Sequence, residues 1–344
     1  MLSSAIIQSS SDDVGEQSFG AAPLQPQTLV GRVGYRLAPR GLYRKARDLR
    51  NSFHNTYSMI SRDSALARVG QRALFRRPRL WHVEFHLCDH CNLNCKSCGH
   101  FCSIAPEYFL PLDEFCRDAR ALAANFRQIE EVYLLGGEPL LHPDLPAFIY
   151  AARELLPARR LVVLSNGVLA GKMGDKFWEA LRATDATLLI TAYPLKLARD
   201  RIEARANAHG ARVEWTETID RFFLAPLVES GDRDPYESYC ACQGYSACPI
   251  VRGGALYRCG AAAYADYLRA TFGLKGFQLE PEDRLALDTA PTRAQSWRLL
   301  NRLLAPAPFC RFCDFSRFHY FDWGRTKRRL SEWTEGPDGE TLSC

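Results

Sequence analysis

The sequence predicts an α/β chain of consecutive βαβ units, forming a parallel sheet or barrel, with a smaller cysteine-rich part behind it. Three observations carry this reading. From Leu80 to Trp215, stretches of strand and helix periodicity alternate with short loops. After about Asp220 the alternation stops, and residues 236–263 are dense in Cys, Tyr and Gly. At 344 residues the chain is long enough for one large domain and a small one, and it buries enough surface to need no disulfides.

The elements follow in order. Trp81, Val83, Phe85 and Leu87 alternate with His82, Glu84, His86 and Cys88, the pattern of a half-buried strand. Asp113 is placed to cap a helix whose apolar face is Phe115, Ala119, Leu122, Phe126 and Ile129. A strand over 131–135 leads into Gly136-Gly137. Then come a helix over 146–156, a strand over 161–164 and the turn Ser165-Asn166-Gly167. A helix over 175–182, a strand over 187–191, a helix over 195–209 and a strand over 212–215 complete the repeat. Beyond a boundary near 235, residues 248–259 read as a hairpin turning at Gly253-Gly254. Residues 294–304 read as a helix stopped by Pro306, and 324–333 as a basic last helix.

Charge and composition exclude several classes. The net charge of +5 is local: residues 29–79 carry 13 Lys/Arg against Asp48 and Asp63, while residues 80–344 are mildly acidic. Residues 1–28, rich in Ser, Gln, Pro and Gly, read as a disordered tail, and 29–79 as a basic, helical extension. That extension lacks the interleaved aromatics of a nucleic-acid surface, so no nucleic-acid partner is expected. No apolar run approaches the roughly 18–20 residues that span a bilayer. The N-terminus has neither the basic start nor the apolar core of a secretory signal, so a cytoplasmic location is expected. In that reducing setting the 13 cysteines point to metal or catalysis rather than disulfides.

The strongest motif is Cys91-Asn-Leu-Asn-Cys95-Lys-Ser-Cys98, three thiols directly after a strand. Three is the informative number. A cubane cluster has four irons, so three ligands leave one iron open to a substrate. A structural zinc site with Cys102 or Cys88 as fourth ligand is the competing reading, although zinc favours paired knuckles separated by a longer loop.

With Gly136-Gly137-Glu138-Pro139 at the end of the next strand, these residues resemble the radical S-adenosylmethionine (SAM) enzymes. The resemblance covers roughly residues 80–330. It implies a partial (β/α)6 TIM-like barrel with a small C-terminal Cys-rich α+β domain. The parts would be a core over 80–235 and an auxiliary domain over 236–335. It further implies that Cys91, Cys95 and Cys98 hold a 4Fe-4S cluster and that Gly136, Gly137 and Glu138 hold the SAM amino group. Ser165 and Asn166, and less firmly Thr191 and Tyr193, lie on the rim where the family contacts the methionine carboxylate and ribose. In that family one electron from the cluster splits the sulfonium to a 5′-deoxyadenosyl radical, which abstracts a substrate hydrogen. The electron comes from a donor such as flavodoxin or ferredoxin. The chain departs from the family at Ser97, where an aromatic adenine contact is usual; backbone or a neighbour such as Phe101 would supply it. His86, His90, His100, Cys88 and Cys102 crowd the same loop, either supporting the cluster, donating a proton or simply packing.

A second cysteine group is Cys240, Cys242, Cys248, Cys259, Cys310 and Cys313. It resembles the twitch module, the short form of the SPASM domain. One auxiliary 4Fe-4S cluster would take four of Cys242, Cys248, Cys259, Cys310 and Cys313, with Cys240 the spare; a zinc tetrahedron fits the same set. Cys116 and Cys344 are incidental. An auxiliary cluster points to oxidation, by dehydrogenation or crosslinking, of a small molecule or sugar. Peptide maturation and epimerisation are the alternatives. A non-enzymatic zinc or iron–sulfur sensor is a more distant reading, because it has no need of Gly136-Gly137-Glu138.

Overall fold

The computed structural model describes residues 71–242 and 248–334. These all fall in one compact unit spanning 51–344. The tail over 1–28, most of the basic segment 29–79 and Cys344 lie outside the described residues.

The fold is α/β around a mostly parallel sheet. Five parallel strands come first: β1 (Arg79–Cys88), β2 (Gln128–Gly136), β3 (Ala158–Ser165), β4 (Thr187–Ile190) and β5 (Arg212–Trp215). They are connected by α1 (Leu112–Asn125), α2 (Leu145–Leu155), α3 (Asp175–Ala183) and α4 (Arg199–His209). The order across the sheet is β5-β4-β3-β2-β1, then β7 (Ile250–Arg252), β8 (Ala255–Tyr257) and β9 (Leu285–Ala286). The sixth parallel strand is thus β7, which lies on the far side of β1 and pairs Glu84 with Ile250 and Phe85 with Val251. It belongs to the hairpin expected over 248–259, and β8 and β9 continue antiparallel. The sheet therefore runs without a break across the boundary expected near 235.

This placement corrects the reading of β1. A strand flanked by β2 and β7 is central, and both its faces are covered. Val83, Phe85 and Leu87 join the main core, and Glu84 and His86 are buried as well. Polar residues on one face of β1 therefore face the barrel interior rather than solvent.

The helices pack outside the sheet. Phe115 of α1 meets Phe85 and Phe148 edge-on, with ring centroids 4.9 and 5.2 Å apart. Burying each such ring contributes roughly 1.5–3 kcal/mol. Asp113 does not cap α1; the N-cap is Pro111, and Asp113 lies in the first turn, where its charge suits the helix dipole. Gly210 at φ 64° closes α4, a left-handed position that favours glycine.

The cysteine-rich part adds β6 (Arg221–Leu224), α5 (Pro235–Cys242), α6 (Gly260–Phe272), α7 (Arg293–Leu303), β10 (His319–Asp322) and α8 (Ser331–Thr334). β6 and β10 form a separate antiparallel ribbon. The helix expected over 324–333 is reduced to α8. The preceding backbone instead pairs with the first cysteine loop: Lys96 N–H donates to Gly324 O (2.8 Å) and Thr326 N–H to Asn94 O (2.9 Å). Among the described residues no helix is long and apolar enough to cross a membrane.

Candidate active site

The loop after β1 carries Cys91, Cys95 and Cys98. It is tightly coiled, with Asn94, Ser97 and Phe101 all at φ near +55°, between 53 and 57°. Non-glycine residues adopt that region only where their surroundings hold them there. The C-terminal strap does so here. Ser97 Oγ donates to Glu332 O (2.6 Å), Trp333 Nε1 to Cys98 O (3.0 Å), and Cys95 bridges Arg325. Ser97, in the position where an aromatic residue was expected, is thus a buried anchor for the strap. Trp323 Nε1 donates to Cys95 Sγ (3.2 Å), a donor the sequence reading missed.

The three thiols share an electrostatic neighbourhood. Burial first, then the charges of Cys98 and Cys91, push Cys95 up to about 12. Burial pushes Cys91 up to about 11. A hydrogen bond from Cys102 outweighs burial at Cys98 and draws it down to about 7. Three thiols gathered on one loop are a donor set suited to a cationic cluster. Cys88, one of the candidate fourth ligands, is occupied elsewhere: its Sγ donates to Glu138 O (2.8 Å).

Gly136 and Gly137 show why no side chain fits there. A Cβ on Gly136 would lie 2.1 Å from Cys88 O, and one on Gly137 1.9 Å from His90 O. Gly137 N–H donates to Cys88 O (2.8 Å) and Glu138 N–H to His90 O (3.2 Å). The close approach is to the backbone entering the cysteine loop, and it sets that loop against the end of β2.

The Glu138 carboxylate, expected to meet an ammonium group, is held by protein donors. It is fully buried and accepts from Ser165 Oγ (2.7 Å), Asn166 N (2.9 Å) and Leu140 N (3.0 Å). It does not line the cavity described below. Instead it ties the end of β2 to the end of β3. Burial raises it from 4.5 to about 7 despite these donors. Asn166 Nδ2 reaches Asn92 Oδ1 (2.8 Å) and Cys91 Sγ (3.7 Å), which links the third strand to the cysteine loop.

One cavity of about 540 Å³ joins these parts. Cys91, Cys95, Cys98, Gly136, Gly137, Ser165, Asn166, Thr191 and Tyr193 all line it. So do Cys242, Cys248, Cys259, Cys310 and Cys313, with Phe222, Phe223 and Phe315 adding an aromatic wall.

The five auxiliary candidates separate into four and one. After burial, the charges acting on Cys313 are those of Cys242, Cys259 and Cys310, and all raise it. Cys259, pushed up to about 12 by burial, likewise feels Cys242 and Cys310. Cys242 ends α5, Cys259 is the N-cap of α6, and Cys310 and Cys313 lie on and just after a short 3-10 turn. Cys248 instead faces His82 and Glu84, their ligand atoms all lying within 4.8 Å of one another. Burial pulls His82 down, but Cys248, Glu131 and Glu84 outweigh it and hold His82 up at about 11.

The loop histidines divide as well. His86 Nε2 lies 3.0 Å from His100 Nδ1, and its ring stacks on Tyr264 at 4.2 Å. His100, drawn down to about 4 by burial, meets the start of α6 at Gly260, where a Cβ would lie 2.2 Å from the imidazole. Tyr267 donates to Asp89, so α6 is bonded to the end of β1. The sequence reading did not pick out this helix, whose first turns are mostly alanine and tyrosine and carry little apolar periodicity.

A family model described as the radical SAM superfamily matches residues 86–223. Over 106 residues the chain is 35% identical to an S-adenosylmethionine-dependent nucleotide dehydratase of Lacinutrix mariniflava, covering 29% of this chain and 21% of that one. It is 30% identical over 114 residues to a GTP 3',8-cyclase of Staphylococcus saprophyticus, covering 31% of this chain and 33% of the relative. The chain thus spans a third or less of the length of these relatives. Among solved structures, BtrN in complex with AdoMet and 2-DOIA aligns with a TM-score of 0.39 and 13% identity, over 67% of this chain and 85% of that one.

Proposed function

We propose, from the match of residues 86–223 to the radical SAM model, that this chain is an enzyme that removes a hydrogen atom from a small molecule or sugar and completes an oxidation, by dehydrogenation or crosslinking. The observation behind this reading is that two groups of thiols line one cavity. Cys91, Cys95 and Cys98 would hold a 4Fe-4S cluster with one iron left open to SAM. Cys242, Cys259, Cys310 and Cys313 would hold a second, fully ligated cluster, which suits oxidation. When bound, the first cluster and SAM supply an electron and a 5′-deoxyadenosyl radical.

The chain's own residues position and shield. Gly136 and Gly137 seat the cysteine loop and present backbone at the rim. Ser165 and Asn166, oriented by Glu138, present polar groups at the end of the neighbouring strand. Tyr193, packed against Phe222 and Trp323, offers the flat apolar surface that an adenine needs in place of an aromatic at Ser97. The aromatic wall keeps water from a reactive intermediate. A substrate with an apolar side chain suits that wall, and this supports peptide modification as the second reading.

The test is anaerobic reconstitution followed by addition of SAM and a strong reductant. About eight irons per chain and release of 5′-deoxyadenosine are expected. Cys310→Ser should remove about four irons and leave the rest. A fully reconstituted protein that does not cleave SAM refutes the proposal. Four zinc-bound thiolates, with no sulfide, would replace the second cluster by a structural site.

A further inference from the structure

We propose that His82, Glu84 and Cys248 form a separate site for a single divalent metal ion of the zinc type, set deeper in the barrel than the cysteine loop. The three side chains come from two strand neighbours. His82 and Glu84 are two residues apart on β1 and so share one face. Cys248 precedes β7, whose Ile250 pairs with Glu84. Their ligand atoms lie within 4.8 Å of one another.

Two further observations point to a cation. Glu84 is only 5% exposed, and its Oε2 has no hydrogen-bond partner among the described residues. His82 already meets Oε1, so it is the second oxygen, Oε2, that stays costly unless a further positive group meets it. Moreover, His82 is held from behind as metal-bound histidines are. Its Nε2 lies 3.1 Å from Glu84 Oε1, while Nδ1 faces Glu131 Oε2 at 3.8 Å. Glu131 is itself bound by Arg160 (3.1 Å), and the Tyr133 ring lies 4.6 Å from the imidazole. A carboxylate behind the ring fixes which nitrogen faces the metal.

Imidazole, carboxylate and thiolate together suit zinc or ferrous iron rather than magnesium or calcium. Three protein ligands leave a fourth position. Glu84 and Cys248 line the cavity, so that position opens toward it. There the ion would take a hydroxyl, carboxylate or amine of the substrate, a role that rests on the function proposed above. The metal site itself does not depend on that function.

The experiment gives the cluster-loaded full chain one equivalent of Zn²⁺ under anaerobic conditions, desalts it, and reads zinc content and the zinc X-ray absorption fine structure. One retained zinc is expected, with a single sulfur at about 2.3 Å and nitrogen or oxygen ligands at about 2.0–2.1 Å. Cys248→Ser should remove the sulfur scatterer while the iron count stays unchanged. Glu84→Gln should weaken zinc at least tenfold in competition with a chromogenic chelator. Glu131→Gln, a positioning change, should weaken it about 10–100-fold with the ligand set unaltered. No retained zinc, or zinc bound by four sulfurs, overturns the proposal. So does loss of about four irons in Cys248→Ser, which would make Cys248 a cluster ligand. Because the readout is zinc ligation, the result stands whether or not SAM is cleaved.

Discussion

Replacing Glu138 with glutamine separates its structural task from its charge. In the folded chain burial raises this carboxyl from 4.5 to about 7. Between those values the folded state keeps a proton that the unfolded chain has released, so its contribution to stability falls as pH rises. At full ionisation the loss is about 3 kcal/mol, from about 1.36 kcal/mol per pKa unit. Most of it, about 2–3 kcal/mol, falls between about pH 5 and about pH 8. Glutamine does not titrate. It does place an amide N–H₂ where Ser165 Oγ, Leu140 N or Asn166 N now donates, and an orphaned donor costs about 1–3 kcal/mol at any pH. Glu138→Gln should therefore destabilise the protein near pH 5 and be neutral or stabilising near pH 8. Anaerobic urea unfolding of the cluster-loaded wild type and variant across that range measures the gap. A gap that is constant, or that widens toward high pH, would show Glu138 held as a carboxylate and refute the argument.

The other expectations concern the loop and the core. Gly137→Ala puts a Cβ on the His90 carbonyl and must displace the cysteine loop, so reconstituted iron should fall by about half while the second site keeps its share; full iron would show that the loop can give way. Trp323→Phe removes the donor to Cys95 Sγ, and the potential of the first cluster should drop by on the order of tens of millivolts in a spectroscopic redox titration. Phe148→Ala empties a fully buried position between Phe115 and His142 and should cost about 3–5 kcal/mol in denaturant unfolding.

Much of the fold is local in origin and therefore legible along the chain. The alternation that produced β2 to β5 and α1 to α4 depends on periodicities of two and 3.6 residues, which neighbours in sequence carry by themselves. The Cys91, Cys95, Cys98 spacing and Gly136-Gly137 are equally local. What misled was context. The same alternation in β1 reads as one wet face, but Glu84 and His86 on that face are buried, and β7, from about 165 residues later, pairs with the strand's second edge. The basic segment over 324–333 has helical composition, yet its backbone finds partners on the cysteine loop.

The sequence by itself determined that this is an α/β chain with a three-thiol loop after its first strand and a second pool of cysteines. Only the tertiary structure shows which of those thiols are neighbours. Cys259, Cys310 and Cys313 stand out on paper, but spacing does not say which other thiol faces them. Packing of α5, α6 and the turn before Cys313 gathers Cys242, Cys259, Cys310 and Cys313, while strand pairing carries Cys248 to His82 and Glu84. Glu138 makes the same point: the motif identified the residue, and its burial among Ser165, Asn166 and Leu140 decided that it ties two strands together. Covalent order sets which groups are available, and long-range packing sets which of them meet.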